Sequence, residues 1–165
     1  MDESEGIVET MGAYDQTLDR LAPWGITLLR VVIGFTFFLH GWQKLFEQSI
    51  GGVGQFFAML GVPAPGVAAA LITFVELLGG AALIVGLFTR VAGVLLALDM
   101  LGAIFFFHHS HGFFVGNEPP GVELVLVLGA AALCLALVGP GPLALDGVLG
   151  LGRDRGRFAP TPSRA

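Results

Sequence analysis

Charged side chains are scarce in this chain of 165 residues. Asp, Glu, Lys and Arg make up 13% of the sequence, and hydrophobic residues make up 55%. Soluble domains carry about 25% charged residues. The mean hydropathy is +0.81. Long uncharged stretches of this kind exclude an ordinary soluble domain and predict an all-α protein whose helices cross a lipid bilayer.

Cysteine is also nearly absent, and basic residues are fewer than acidic ones. The single cysteine, Cys134, permits neither an intramolecular disulfide nor a CxxC redox pair, which excludes a thiol–disulfide oxidoreductase that uses its own cysteines. The net charge of −5 comes largely from acidic residues within positions 1–20. The chain therefore lacks the basic footprint of a nucleic-acid-binding protein. It also lacks the positive stretch that begins a cleaved signal peptide.

The apolar segments predict one domain, an integral membrane four-helix bundle over residues 23–147. Because a spanning helix needs about 20 apolar residues, we place the helices at about 23–46, 67–88, 91–107 and 122–138. An acidic disordered tail is expected over residues 1–22, and a basic flexible tail over 148–165. The amphipathic pattern of 53–60 predicts a short helix that lies at the membrane interface.

The basic residues predict the orientation of this bundle. An even number of spans places both termini on one side of the membrane. That side holds six of the eight basic residues: Arg20, Arg90, Arg153, Arg155, Arg157 and Arg164. Since positive residues favour the cytoplasm, both termini are predicted to be cytoplasmic, and the connections 47–66 and 108–121 are predicted to lie outside.

Three charges near the middle of the predicted helices form the first candidate site: Arg30, Glu76 and Asp99. A charge at the bilayer centre costs about 2.5–3.5 kcal/mol, so pairing is expected. At 1.5 Å per residue, Arg30 and Asp99 lie roughly 10–12 Å from the cytoplasmic ends of their helices and Glu76 roughly 18 Å. Either acid is therefore within reach of Arg30. Two interpretations stay open: a buried ion pair that fixes helix register, or a proton relay or ligand site.

A second candidate site lies toward the outer ends of the helices, at His40, Lys44 and Glu123. Lys44 or His40 could donate a hydrogen bond to a quinone carbonyl, and Glu123 could exchange a proton. No cofactor is evident in the sequence, which has neither a dinucleotide-binding glycine motif nor a haem-ligand pattern. A quinone stays open as a ligand of this cluster.

Three histidines follow the third predicted helix, at positions 108, 109 and 111. His108, His109 and His111 could supply metal ligands that a carboxylate completes. The spacing HHSH is not specific for any metal site, so the prediction depends on residue type alone.

Three stretches of the sequence resemble the DoxX family of small four-helix bacterial membrane proteins. They are LLRVVIGFTFFLHGWQKLF, VELLGGAALIVGLFTRVAGVLLALDML and GVELVLVLGAAALCLALVGPGPLALD, and the resemblance covers about residues 24–147. The positions that match the family pattern are Arg30, Gly34, His40, Gly41, Lys44, Glu76, Leu77, Gly79, Gly80, Thr89, Arg90, Glu123, Gly139, Pro140, Gly141, Leu145 and Asp146.

The resemblance implies a multi-pass protein of the bacterial inner membrane. Members of the family are linked to respiratory or redox work, and some resemble subunits of thiosulfate:quinone oxidoreductase or terminal quinol oxidase assemblies. The chain is therefore expected to be a subunit of a redox or quinone-linked membrane complex. Whether it catalyses a reaction itself stays open. The expected partners are the lipid bilayer and a membrane or soluble oxidoreductase, and a homo-oligomer is a further option.

Two other functions stay open at this point. The first is a small proton-coupled transporter or channel, with Arg30, Glu76 and Asp99 along the path. The second is a membrane scaffold that anchors soluble redox enzymes through its charged tails.

Overall fold

Every regular element between residues 3 and 151, the part of the chain that the computed structural model describes, is helical. Side chains are described from Tyr14 onward. The elements are α1 (Glu3–Trp42), a π-helical segment (Gln43–Glu47), α2 (Ser49–Met59), α3 (Pro65–Val85), α4 (Thr89–Phe106), a 3₁₀ turn (His108–Ser110), α5 (Glu123–Val138) and α6 (Leu145–Val148). The all-α prediction is confirmed for these residues.

Three stretches are long and apolar enough to cross a membrane: Tyr14–Glu47, Pro65–Val85 and Thr89–Phe106. The helix α5 is equally apolar but shorter, at 16 residues. Large apolar side chains lie exposed along the outer faces of all these helices. Examples are Leu28, Val32, Phe35, Leu71, Leu78, Leu98, Leu101, Phe105, Val127 and Leu137. An apolar exterior of this extent is typical of a surface that contacts lipid.

The N-terminal region differs from the sequence prediction. The helix α1 begins at Glu3, so residues 3–22 continue the first helix where a disordered tail was expected, and Pro23 lies inside the helix. Acidic residues at a helix N-terminus interact favourably with the helix dipole. The prediction of a disordered tail did not take this effect into account. Most of the predicted basic tail lies outside the described residues.

The other helix ends lie within a few residues of their predicted positions. The amphipathic segment is the helix α2. The tight connection between α3 and α4 falls at residues 86–88 instead of at Thr89 and Arg90, which begin α4. Two left-handed residues, Gly86 (φ 71°) and Phe88 (φ 48°), make this turn.

Glycines allow α1 and α3 to pack backbone against backbone. A Cβ atom at Gly41 would lie 2.4 Å from the Leu77 nitrogen, and one at Gly80 would lie 2.4 Å from the Phe38 nitrogen. Glycine is common where two membrane helices approach each other this closely. The contact fixes both the spacing and the register of the two helices.

The apolar core lies between this helix pair and the pair formed by α4 and α5. Its buried members include Ile33, Phe37, Leu83, Leu96, Met100, Leu128, Ala132 and Leu135. The pairs are connected through the turn at residues 86–88 and through contacts between α3 and α4. Helices α4 and α5 also approach closely, because a Cβ atom at Gly93 would lie 2.7 Å from the Ala132 carbonyl oxygen.

We predict that Gly80→Ala destabilises the bundle. The added methyl group would collide with the backbone of α1 at Phe38, and overpacking of this kind costs about 1–3 kcal/mol. Thermal unfolding of the detergent-solubilised protein measures the effect. The control is Gly25→Ala in α1, where an added Cβ has no atom within 4 Å. Equal melting temperatures for the two variants would contradict the close contact.

Candidate functional site

Lys44 and Glu76 form an ion pair between the end of the first helix and the middle of α3. The Lys44 ammonium bonds to Oε2 of Glu76, and the side chains are 22% and 3% exposed. Lys44 follows Gly34 and Gly41 along the face of the first helix that contacts α3. It lies in the π-helical segment, a local widening that occurs frequently at functional sites.

Asp99 brings a second acid to this pair from α4. Its side chain is 7% exposed, and its carboxyl group lies within hydrogen-bonding reach of Glu76 and electrostatic reach of Lys44. Its Oδ2 atom is buried without a hydrogen-bond partner. The three side chains therefore form a polar network of two acids and one base, which we call the Lys44–Glu76–Asp99 network.

The network lies on the wall of a cavity of about 710 Å³. Other polar side chains on the wall are His40, Gln43, Gln48 and His108. The rest of the wall is mostly apolar and includes Phe37, Val53, Phe56, Phe57, Ile72, Met100, Phe106, Phe107, Val125 and Leu128. Sites for small organic ligands have volumes of about 300–1,000 Å³ and this same combination of an apolar wall with a few polar groups.

The cavity wall continues into the apolar outer surface of the bundle. Leu71 and Leu98 line the cavity, and both are more than half exposed on the outside. Phe56 and Leu124 also belong to both surfaces. The same apolar side chains therefore border the cavity and form part of the exterior of the helices.

Arg30 does not join Glu76 or Asp99, and this part of the predicted ion pair is wrong. Its Nη2 atom donates to the Leu143 carbonyl over 3.0 Å, and Asp146 is the acid that acts on it electrostatically. An added Cβ at Gly86 would collide with its Nη1 atom. The predicted depth assumed that the first helix begins at Pro23, whereas Arg30 lies level with the turn between α3 and α4.

Asp146 is a buried polar residue whose role the sequence did not reveal. Its two carboxylate oxygens accept hydrogen bonds from the backbone nitrogens of Phe88 (2.6 Å) and Thr89 (2.9 Å). Its own backbone nitrogen donates to the Gly86 carbonyl over 2.8 Å. Asp146 therefore satisfies the free amides that begin α4. The only signal in the sequence was its place in the DoxX-like pattern, which carries no information about this contact.

Two more side chains form hydrogen bonds at the end of the bundle where Asp146 lies. Arg90 binds the C-terminus of α5, and Thr27 binds the segment that follows α5. The Arg90 guanidinium donates to the carbonyls of Ala136 and Leu137 at the C-terminus of α5. The Thr27 hydroxyl donates to the Pro142 carbonyl over 2.8 Å. The end of the bundle that contains the turn at residues 86–88 is therefore stabilised by four polar side chains: Thr27, Arg30, Arg90 and Asp146. The Lys44–Glu76–Asp99 network lines the cavity instead.

Glu123 is not on the cavity wall, so the predicted grouping of His40, Lys44 and Glu123 is formed only in part. His40 and Lys44 line the cavity. The Glu123 carboxylate instead accepts a hydrogen bond from the Val115 nitrogen (3.0 Å), and its backbone nitrogen donates to the Phe113 carbonyl (2.8 Å). It holds the loop before α5 in place, and Glu76 and Asp99 are the acids that face the cavity.

The three histidines after α4 do not form a metal site with one another. His108 contacts the Pro120 carbonyl through Nδ1 (2.8 Å), His109 stacks on Phe105, and the ring of His111 packs against Phe107. Among the side chains described, no group of three or more His, Cys, Asp or Glu residues could hold a metal ion. The metal prediction is wrong for this part of the chain.

Comparison with known proteins finds similarity to the DoxX family and to several bacterial proteins. The model of the DoxX family matches residues 25–109. A putative oxidoreductase, CatD of Bacillus subtilis, is 39% identical over 82% of this chain and 94% of its own length. An uncharacterized protein of Haemophilus influenzae is 35% identical over 78% of this chain and 93% of its own length. The inner membrane protein YphA of Escherichia coli is 29% identical over 75% of this chain and 89% of its own length. No solved structure matches significantly.

We predict strong coupling between Lys44 and Glu76 in a double-mutant cycle. Removing one partner of a buried pair costs about 3–5 kcal/mol, whereas replacing both partners with apolar residues is often neutral. Lys44→Met and Glu76→Met should therefore each lower the free energy of unfolding, and the double variant should recover most of the loss. Glu47→Gln, which changes an exposed acid nearby, serves as the control. Additive losses in the double variant would show that the pair does not couple.

Proposed function

This chain belongs to the DoxX family of membrane proteins, and we propose that it is a quinone-binding subunit of a redox complex in the bacterial inner membrane. The observation that carries the proposal is the cavity of about 710 Å³ with the Lys44–Glu76–Asp99 network on its wall. Inner-membrane relatives support the location. The name of the CatD relative, a putative oxidoreductase, supports the redox role.

The apolar part of the cavity suits a flat, lipid-soluble ring. Five phenylalanines line it: Phe37, Phe56, Phe57, Phe106 and Phe107. Aromatic side chains pack favourably against a planar ring. Because the wall continues into the lipid-facing surface, the isoprenoid tail of a quinone can remain in the bilayer while the head group enters. An entrance of this kind suits a ligand that comes from the bilayer and not a water-soluble substrate.

The polar part of the cavity suits the two oxygens of a quinone. Lys44 has three N–H donors, and only one of them is used in the bond to Glu76. His40 and His108 also line the cavity, so each can approach the second oxygen. Glu76 and Asp99 can take up or release a proton when the bound head group changes its redox state. The partner enzyme would supply or accept the electrons.

We assign the bundle four spans with both termini in the cytoplasm. The helix α5 provides the fourth span, since it is apolar and packs along α4. Sixteen helical residues cover roughly 24 Å, so the flanking residues would complete the crossing. Arg20 and Arg90 then face the cytoplasm, in agreement with the positive-inside rule. The cavity opens toward the outer half of the membrane.

The transporter hypothesis has less support than it had from the sequence. It relied on a charged layer of Arg30, Glu76 and Asp99, and Arg30 lies instead beside Leu143 and Gly86. The scaffold hypothesis relied on the charged tails, which lie largely outside the described side chains. The quinone proposal depends on neither feature.

We predict that Lys44→Gln weakens quinone binding by about tenfold or more. A hydrogen bond to a charged group contributes about 1.5–3 kcal/mol, and each 1.4 kcal/mol corresponds to a factor of ten in Kd. Titration of a short-chain ubiquinone into the purified protein in lipid nanodiscs measures the affinity. His40→Ala should also weaken binding.

Glu123→Gln is the control for this titration, because Glu123 lies off the cavity wall and glutamine keeps its acceptor oxygen. Its affinity should equal that of the unmodified protein. The melting temperature of each variant distinguishes lost binding from lost folding. Unchanged affinity in both Lys44→Gln and His40→Ala, with all proteins folded, would refute the assignment of the site.

We predict that the C-terminus lies in the cytoplasm, so that a reporter fused there is active if it works in the cytoplasm and inactive if it works only in the periplasm. With four spans, a fluorescent protein fused after Ala165 should fold and emit light, and a periplasmic phosphatase at the same place should be inactive. A phosphatase inserted in the loop at Gly116 should be active. The opposite pattern at the C-terminus would mean an odd number of spans or a reversed bundle.

A further inference from the structure

We propose that the apolar tail of the ligand leaves the cavity through a gap between α3 and α4, and that Gly102 keeps this gap open. This inference rests on the proposed function and adds the feature that the site selects, a flat head group that carries a flexible isoprenoid tail. It depends on a glycine that sequence reasoning did not identify.

The gap lies between two helices that touch nearer to their connecting turn. Helices α3 and α4 pack together at Gly79 and Leu96, since a Cβ atom at Gly79 would lie 3.3 Å from Cγ of Leu96. About two turns farther from residues 86–88, roughly 9–11 Å along the helix axes, Ile72 of α3 and Gly102 of α4 both line the cavity. The cavity therefore extends between the two helices at that level.

Gly102 lies at the border between the cavity and the exterior of α4. At about 100° per residue, it is roughly 40° from Leu98 and roughly 60° from Asp99 around the helix. Leu98 is 58% exposed and Asp99 is 7% exposed, and both line the cavity. A Cβ atom at Gly102 would have no atom of another described residue within 4 Å. The position therefore faces open space, and the lack of a side chain leaves the gap unfilled.

The side chains that border the gap are apolar. Leu71 of α3 and Leu95 of α4 line the cavity as Leu98 does, and they are 61% and 45% exposed. Phe56 of α2 also lines the cavity and is 39% exposed. An isoprenoid tail in the gap would pass from the cavity to the lipid along hydrocarbon side chains.

Another exposed part of the cavity wall is polar and suits the tail less well. His40, Gln43 and Gln48 line the cavity and are exposed. A tail that left beside them would cover an imidazole and two amides without bonding to them, which costs free energy. The polar groups suit the oxygens of the head group, and the gap between α3 and α4 suits the tail.

The experiment compares one quinone ring with and without a tail. The ligands are the dimethoxy-methyl-benzoquinone ring alone and the same ring with two isoprene units. Gly102→Leu should weaken binding of the tailed quinone by about tenfold or more, because the added side chain occupies the space that the tail needs. Binding of the ring alone should change by less than about twofold. All titrations use the full-length protein in nanodiscs of one lipid composition, so each ligand partitions into lipid equally for every variant.

Two further variants control for folding and for a general effect of a larger side chain. Gly102→Ala adds one methyl group and favours the helix, so it should fold and show a smaller loss for the tailed quinone alone. Gly25→Leu in α1 is the matched control, because a Cβ atom there also has no atom of another described residue within 4 Å. Gly25 is not on the cavity wall, so both affinities should be unchanged. The melting temperature of each variant shows that it is folded.

A quinone with a photoreactive group at the end of its tail tests the path in the unmodified protein. Cross-linked residues should lie near Leu71 on α3 and near Leu98 on α4. Cross-links confined to residues 40–48 or to the region around Leu124 of α5 would place the tail elsewhere and refute the inference.

The outcomes separate this inference from the proposed function. If folded Gly102→Leu weakens both ligands equally, Gly102 serves the head group and the inference is refuted. If neither ligand is weakened, the tail does not use this gap and the inference is also refuted. The quinone site stands in both cases. If the unmodified protein binds neither ligand, the proposed function itself is refuted.

Discussion

The close approach of α1 and α3 is the constraint on which the rest of the site depends. Gly41 and Gly80 bring the two backbones within a distance that no side chain would permit. At that spacing Lys44, one turn beyond Gly41, meets Glu76 on the facing helix. A charge pair in an apolar surrounding is stable only while both partners stay in place. The glycines therefore hold together a polar network in which they do not themselves take part.

The polar residues of the bundle divide into two groups with different surroundings. Arg30, Arg90 and Asp146 bond mainly to backbone groups at helix ends and turns. Their bonding satisfies carbonyls and amides that would otherwise lack partners in the membrane. Lys44 bonds to Glu76, Asp99 lies close to both, and all three line the cavity. The first group is explained by architecture, and only the second lines the cavity.

Several features of the fold could be predicted because they depend on local sequence. The positions of α3, α4 and α5 follow from the length of the apolar runs, and the interfacial helix α2 follows from its amphipathic pattern. The start of α1 could not be predicted in the same way, because the acidic residues before Pro23 suit both a disordered tail and a helix N-terminus. With the helix start placed at Pro23, the sequence prediction put Arg30 too deep in the bundle and paired it with Asp99 or Glu76. In the structure it lies beside Leu143 and Gly86.

The sequence by itself determined that this protein is a helical membrane protein of the DoxX type and which ionisable residues its apolar helices carry. The tertiary structure decided which of these residues meet. Lys44 pairs with Glu76, Arg30 lies beside Asp146, and Glu123 holds a loop. The physical reason is that membrane insertion depends on the sum of local hydropathy. The partner of a buried charge depends instead on the register and rotation of two helices, which the packing of small residues sets across the bundle.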